Sequence, residues 1–188
     1  MVAPTDREAV DLEIYRALER GDKDAFSRLV REHGTHIYNV SYRILMDRVR
    51  AEDVMQETFM KAYSSIDTLE DPRRLRVWLV KIAHNKSVDV LRRDKRAEAR
   101  RTAHEREVAI EDTAPDRAVG DGERRALRAC LEALPPEKRA AVLGRFVDEL
   151  EYGELAESSG EKIDTVRIRV ARTLPELREC LEKKGVKL

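Results

Sequence analysis

Aromatic residues are scarce in this chain: three Phe, five Tyr and one Trp supply only 5% of its 188 residues. Cores with so few rings rest on aliphatic side chains, and the lack of β-branched and aromatic runs disfavours a strand-rich architecture. Net charge is missing as well, with 37 basic residues against 37 acidic ones, so the overall balance names no partner and only the local distribution can. No apolar run approaches the ~20 residues that span a bilayer, and no signal-peptide pattern opens the chain, so no membrane insertion is expected and the expected location is the cytoplasm. Cysteine is limited to Cys130 and Cys180, with no CxxC or Cys/His cluster. That spacing suggests neither a zinc site nor a disulfide framework and fits a reducing compartment. A glycine-rich phosphate loop is absent, and His33, His36, His84 and His104 have no Ser or Cys nucleophile in a known arrangement. Catalysis, a resident metal and a cofactor are therefore not expected.

What the chain does contain is 41% hydrophobic and 39% charged residues, the balance of a soluble helical protein with one or two small cores. The charge is banded. Residues 51–70 carry five acids against Lys61, residues 73–101 carry eleven Lys or Arg against three acids, and residues 105–123 carry seven acids against two arginines. Apolar spacing predicts helices nearly everywhere: one around Leu12, Ile14, Tyr15 and Leu18 stopped by Gly21, a second capped by Asp22, a third around Ile37, Val40 and Ile44. A fourth helix runs over 51–65, a loop with Asp71-Pro72 over 69–74, and a helix from Leu75 to a basic end at Arg96. Residues 97–122 lose that periodicity and read as a flexible acidic linker. Helices resume through Leu127, Leu131 and Leu134, restart after Pro135-Pro136, and end in a helix whose predicted inward stripe is Ile163, Val166, Val170, Leu174, Leu177 and Leu181. The fold class is thus all-α: a helical domain over 10–96, a linker over 97–122 and a helix-turn-helix domain over 123–184.

Three surfaces carry chemistry. In AEDVMQETFMKAY, the residues Asp53, Gln56 and Glu57 face solvent together, which fits either a solvated face or a docking surface for a basic partner. In RVWLVKIAHNKSVDVLRRDKR, Trp78 lies near Arg76 and Lys81, with Asn85, Asp89, Arg92 and Arg93 beyond. Basic groups around one aromatic suit a surface that binds phosphates and stacks an unpaired base, although a lone Trp in an amphipathic helix also serves as core. Downstream, LPPEKRAAVLGRF and YGELAESSGEKIDTVRIRVAR read as a helix-turn-helix. With the stripe inward, Arg167, Ile168, Ala171 and Arg172 point outward and Thr165 sits in the first turn, the arrangement by which a recognition helix meets a major groove. Arg169 is counted with this set.

Taken together, these four motifs resemble the extracytoplasmic-function sigma factors of bacterial RNA polymerase, over about Leu12 to Leu181. The resemblance implies that Asp53, Gln56 and Glu57 dock on the clamp helices of the polymerase largest subunit. It implies that residues 69–74 and Arg76, Trp78, Lys81, Asn85, Asp89, Arg92 and Arg93 open the −10 element and hold its non-template strand. It further implies that Thr165, Arg167, Ile168, Arg169, Ala171 and Arg172 read the −35 element as duplex, that this domain packs on the polymerase flap, and that the acidic linker threads toward the RNA channels. An anti-sigma partner is common in the family. Departures from the family pattern lie at Glu161 and Lys162, where the cap is expected to shift to Asp164, at Ile168, and at Pro175, which predicts a helix end near Thr173. Two other classes compete: a free-standing helix-turn-helix regulator, which leaves the acidic helix and Trp78 idle, and an adaptor of stacked helices.

Overall fold

The computed structural model describes residues 6–22, 24–101 and 122–186; these form eight α-helices and two 3₁₀ turns, with no strand among the described residues. They divide into two compact units, Met1–Ser87 and Val88–Leu188, and each is described by itself. The predicted linker lies largely outside the described residues.

In the first unit, α1 (Asp6–Glu19) buries Ile14, Tyr15, Ala17 and Leu18. It stops where sequence predicts, at Gly21, whose φ of 71° is a conformation that glycine adopts without strain. Asp22 does not cap the next helix: its carboxylate accepts the Asp24 N–H in the loop at 2.9 Å, and Asp24 is the cap residue. The second and third predicted helices are one, α2 (Ala25–Leu45), which runs through Gly34. A glycine inside a helix costs only about 1 kcal/mol relative to alanine, whereas the continuous helix buries Leu29, Ile37, Val40 and Ile44, each such side chain contributing roughly 1.5–3 kcal/mol. Met46 in the left-handed region closes it.

Asp47 then caps α3 (Arg48–Ser64), accepting the Arg50 N–H at 3.0 Å. Ala51, Val54, Thr58, Phe59 and Ala62 form the buried stripe of α3. Tyr63 is 56% exposed and meets Phe26 edge-on at a centroid distance of 5.5 Å. Two 3₁₀ turns, Ile66–Thr68 and Pro72–Arg74, lead into α4 (Leu75–Arg101), whose residues up to Ser87 belong to this unit and whose remainder belongs to the second. This helix buries Leu75, Leu79, Val80, Ala83 and His84 and extends past the predicted basic end.

In the second unit, α5 (Gly122–Glu132) and α6 (Pro136–Phe146) are separated at Pro135-Pro136, with Pro136 at the first helical position, where its missing N–H is harmless. Buried Arg139 closes the break by donating to the Leu134 carbonyl at 3.2 Å. A reciprocal capping box between Glu151 and Glu154 starts α7 (Tyr152–Ser159), and Gly160 at φ 65° makes the turn into α8 (Ile163–Lys183). The helix-turn-helix is thus α7, Gly160 and α8.

Three expectations for this unit fail. The inward stripe of α8 is Val166, Val170, Thr173, Leu177 and Leu181, whereas Ile163 and Leu174 are 44% and 39% exposed. Pro175 does not end the helix. It stands on the exposed side, as does Ala171, so the carbonyl that the ring leaves unpaired lies on the solvent side of the helix. Finally, Cys130 and Cys180 are disulfide-bonded, their Cα atoms 5.9 Å apart, tying α5 to the far end of α8 beside Ala126 and Leu181. A separation of 50 positions hides a proximity that only the packing of first helix on last creates.

Candidate nucleic-acid interfaces

On α3 the buried stripe leaves Glu52, Asp53, Gln56, Glu57 and Met60 outward. Asp53, Gln56 and Glu57 are all exposed, within about one turn of each other. Val49 and Met60, 71% and 70% exposed, flank them with apolar surface. An acidic centre with apolar flanks suits a protein partner better than water alone does. Glu57 also accepts a hydrogen bond from Lys86 of α4 at 2.8 Å, which ties the acidic helix to the basic one.

Along α4, Trp78, Lys81, Asn85, Asp89 and Arg92 recur at spacings of three and four, so they share one stripe opposite the buried one. Trp78 is half-buried, so part of its side chain stays accessible. The Oδ1 of Asn85 is buried and accepts no hydrogen bond within the protein. Arg93 is exposed, its Nε donating to the Asp89 carbonyl at 3.3 Å, and Arg92 meets the Asp89 carboxylate at 3.5 Å. Arg76 is the exception: it is half-buried, off the stripe, and paired with His36 of α2 at 3.3 Å. At the entrance to α4, the Asp71 carboxylate takes the Arg73 backbone N–H and its guanidinium at 2.9–3.1 Å. That Arg73 side chain, its backbone N–H and neighbouring Arg74 hold the Asp71 carboxyl below the usual carboxylate range.

In α8 the amino-terminal turns expose Thr165, Arg167, Ile168, Ala171 and Arg172. Lys162, not Asp164, holds the cap position, and its side chain makes no cap bond; Asp164 instead lies 3.5 Å from Arg167. Arg169 leaves the group: it is half-buried and grips both carboxylate oxygens of Glu161, one at 2.6 Å. The Arg169 bonds hold the Glu161 carboxyl below its ordinary value. Sequence reasoning missed this engagement because Glu161 lies eight residues back, across the turn. Nor did it single out Tyr152, whose ring has the guanidinium carbons of Arg145 and Arg167 at 5.2 and 5.6 Å from its centroid. The alternation of arginine, aromatic and arginine across three helices gave no signal in linear spacing. Among the described residues no group of His, Cys, Asp or Glu could hold a metal ion, and no helix is long and apolar enough to cross a membrane.

A helix-turn-helix unit following a helical unit with one acidic and one basic face defines a transcription factor of two modules. The comparisons are specific about which. Residues 29–97 match the model for sigma-70 region 2, and residues 124–177 match that for sigma-70 region 4. The chain is 36% identical over 169 residues to the ECF RNA polymerase sigma factor SigE of Mycolicibacterium smegmatis, covering 87% of this chain and 65% of that one. It is 30% identical over 175 residues to the ECF RNA polymerase sigma factor SigW of Bacillus subtilis, covering 88% and 94%. In fold it is similar to the sigma factor RpoE of Bartonella quintana, solved with the anti-sigma factor NepR, at a TM-score of 0.62 and 24% identity over 85% of this chain and 98% of that one. The chain belongs to the ECF-type RNA polymerase sigma factors, carrying regions 2 and 4. Members of this family are initiation factors that direct polymerase to promoters, not enzymes.

Proposed function

We propose that Asp53, Gln56 and Glu57 of α3 dock on the clamp helices of the largest polymerase subunit, with Val49 and Met60 as the apolar flank. The α4 stripe of Trp78, Lys81, Asn85, Asp89 and Arg92, with Arg93, holds the separated non-template strand of the −10 element. The accessible part of the Trp78 ring suits stacking of an unpaired base, and the basic residues suit its phosphates. Extruding a base costs a few kcal/mol, which polymerase binding and strand contacts offset. Arg76, paired with His36, contributes by fixing the start of α4 rather than by touching DNA. Thr165, Arg167, Ile168, Ala171 and Arg172 read the −35 duplex, with Ile168 suited to a thymine methyl. Arg169 supports that helix through Glu161. The same unit packs on the polymerase flap, and the acidic linker threads toward the RNA channels. An anti-sigma factor covers these surfaces in the non-inducing state, and the protein works in the cytoplasm, where reduction of the Cys130–Cys180 bond would loosen the second unit.

The observation that carries this reading is the co-occurrence in one chain of an exposed acidic face on α3, a half-exposed tryptophan stripe on α4 and an exposed recognition face on α8. Run-off transcription with sigma-free core polymerase, this protein and fragmented host DNA tests it. Discrete starts that share two upstream motifs are expected. Retention of duplex fragments by the protein alone, without starts, would instead make it a free-standing regulator.

A further inference from the structure

We propose that Tyr152 is a positioning residue for promoter readout: its ring holds the Arg167 guanidinium in the plane from which it reads the −35 duplex. The inference rests on the proposed assignment of the α8 face and deepens it.

Arg167 has two neighbours. One is the carboxylate of Asp164, 3.5 Å away and in the first turn of α8; the other is the Tyr152 ring, 5.6 Å from the guanidinium carbon. They act differently when DNA arrives. Asp164 competes with guanine or phosphate for the same N–H donors and is displaced, since its own side chain is 86% exposed and loosely held. An aromatic ring attracts the cation as a whole rather than accepting a particular N–H as a carboxylate does, so it restrains Arg167 without competing for the donors of a bidentate contact. A long side chain already restrained in that way loses less rotamer freedom on binding, which favours one orientation over the alternatives.

The ring is itself well fixed. Tyr152 opens α7, where the Glu151–Glu154 capping box sets the backbone, and it packs against the cluster of Leu150, Leu155, Ala156 and Val166. Arg145 approaches the same ring at 5.2 Å. Its guanidinium donates to the Leu150 carbonyl at 3.1 Å and to the Glu151 carboxylate at 3.4 Å. Arg145 is therefore committed to the protein, with its own counter-charge, whereas Arg167 keeps a side chain that is 60% exposed. Of the two cations on the ring, one anchors it and the other is presented.

The test uses holoenzyme assembled from core polymerase and the full chain, selecting from duplexes randomised over the −35 element, with melting temperature and core affinity measured for every variant. Arg167→Ala identifies the base pair that Arg167 reads, flattening its preference about tenfold or more. Tyr152→Leu keeps apolar bulk against Leu155 and Val166 but removes the ring. It is expected to flatten preference at that same base pair by about two- to fivefold and at no other. Tyr152→Phe retains the wild-type profile, and Tyr152→Leu with Arg167→Ala is no flatter than Arg167→Ala alone. Wild-type preference at that base pair in Tyr152→Leu overturns the proposal, as does a Tyr152→Phe profile as flat as that of Tyr152→Leu. If Arg167→Ala itself leaves every preference unchanged, the assignment of Arg167 falls and this inference with it, while run-off initiation by the unmodified protein still stands.

Discussion

The two units solve the same problem of stability by different means. Among the described residues, most of the largest fully buried side chains belong to the first unit: Phe59, Ile14, Leu29, Ile37, Ile44, Leu75, Leu79, His84 and Val40. The second unit contributes only Leu150, Val166 and Val170 to that group. It spreads its apolar content over small residues such as Ala140, Ala141 and Ala156, and leaves Phe146, Val147, Ile163, Ile168 and Leu174 exposed. A small helical domain with so thin a core needs a staple, and the Cys130–Cys180 bond supplies one between its first and last helices. Both units bury polar groups: the first places His33 3.1 Å from Asp11 with both side chains nearly inaccessible, and the second buries Arg139. One unit is held from inside. The other is held by a cross-link and by surface polar contacts, which leaves its apolar side chains free for partners.

The largest effect should come from the outer face of the well-packed unit, where function and stability separate. Reversing Asp53 and Glu57 together to lysine is expected to weaken core polymerase binding by about 100-fold or more, the scale of charge reversal within a tight interface. The melting temperature should hardly move, since both side chains are exposed and the surface pair of Glu57 with Lys86 contributes less than about 1 kcal/mol. Core affinity by competition against the unmodified chain, beside a melting curve, checks both halves. Unchanged affinity would remove this face from the polymerase interface.

Reduction of the disulfide sharpens the contrast directly. Closing a loop of 50 residues restricts the unfolded chain by about 4 kcal/mol in the chain-entropy treatment. Hydrogen exchange with and without reductant should therefore show faster exchange in α5, α6 and the second half of α8, and no change in α2 or α3. Equal loss of protection in both units would mean that the first also depends on the cross-link, and the comparison would fail.

How much of this was legible in the sequence follows the same division. Helix identity, the stop at Gly21 and the exposure of Asp53, Gln56 and Glu57 all come from local spacing, which sequence displays. The misses come from tertiary energy. Gly34 and Pro175 break helices only where packing does not outweigh their local cost, and packing cannot be read from either residue. The stripe of α8 was displaced because Thr173 satisfies its hydroxyl on the Arg169 carbonyl at 2.7 Å and so can be buried in place of Leu174. Arg169 was expected among the −35 contacts; the Glu161 carboxylate that claims it is visible only once the turn has folded. The same holds for Cys130 and Cys180.

The smallest predicted effect concerns that Glu161–Arg169 pair. Arg169 holds the Glu161 carboxyl below its ordinary value of 4.5. A carboxyl lowered by folding binds fewer protons in the native state than in the unfolded one, so its stabilisation is present above about pH 4.5 and is lost as the pH falls through the folded value. Glu137, lowered first by its hydrogen bond from Lys95, acts in the same direction and the same window. Glu161→Gln should therefore remove only part of the acid sensitivity of the second unit. It keeps one hydrogen bond to Arg169 but no charge, and its urea midpoint, followed from pH 7 to pH 3, should lie below that of the unmodified chain at neutral pH and converge on it in acid. Parallel curves over the whole range would show that the pair is held by packing alone, and that the turn into the recognition helix does not depend on charge.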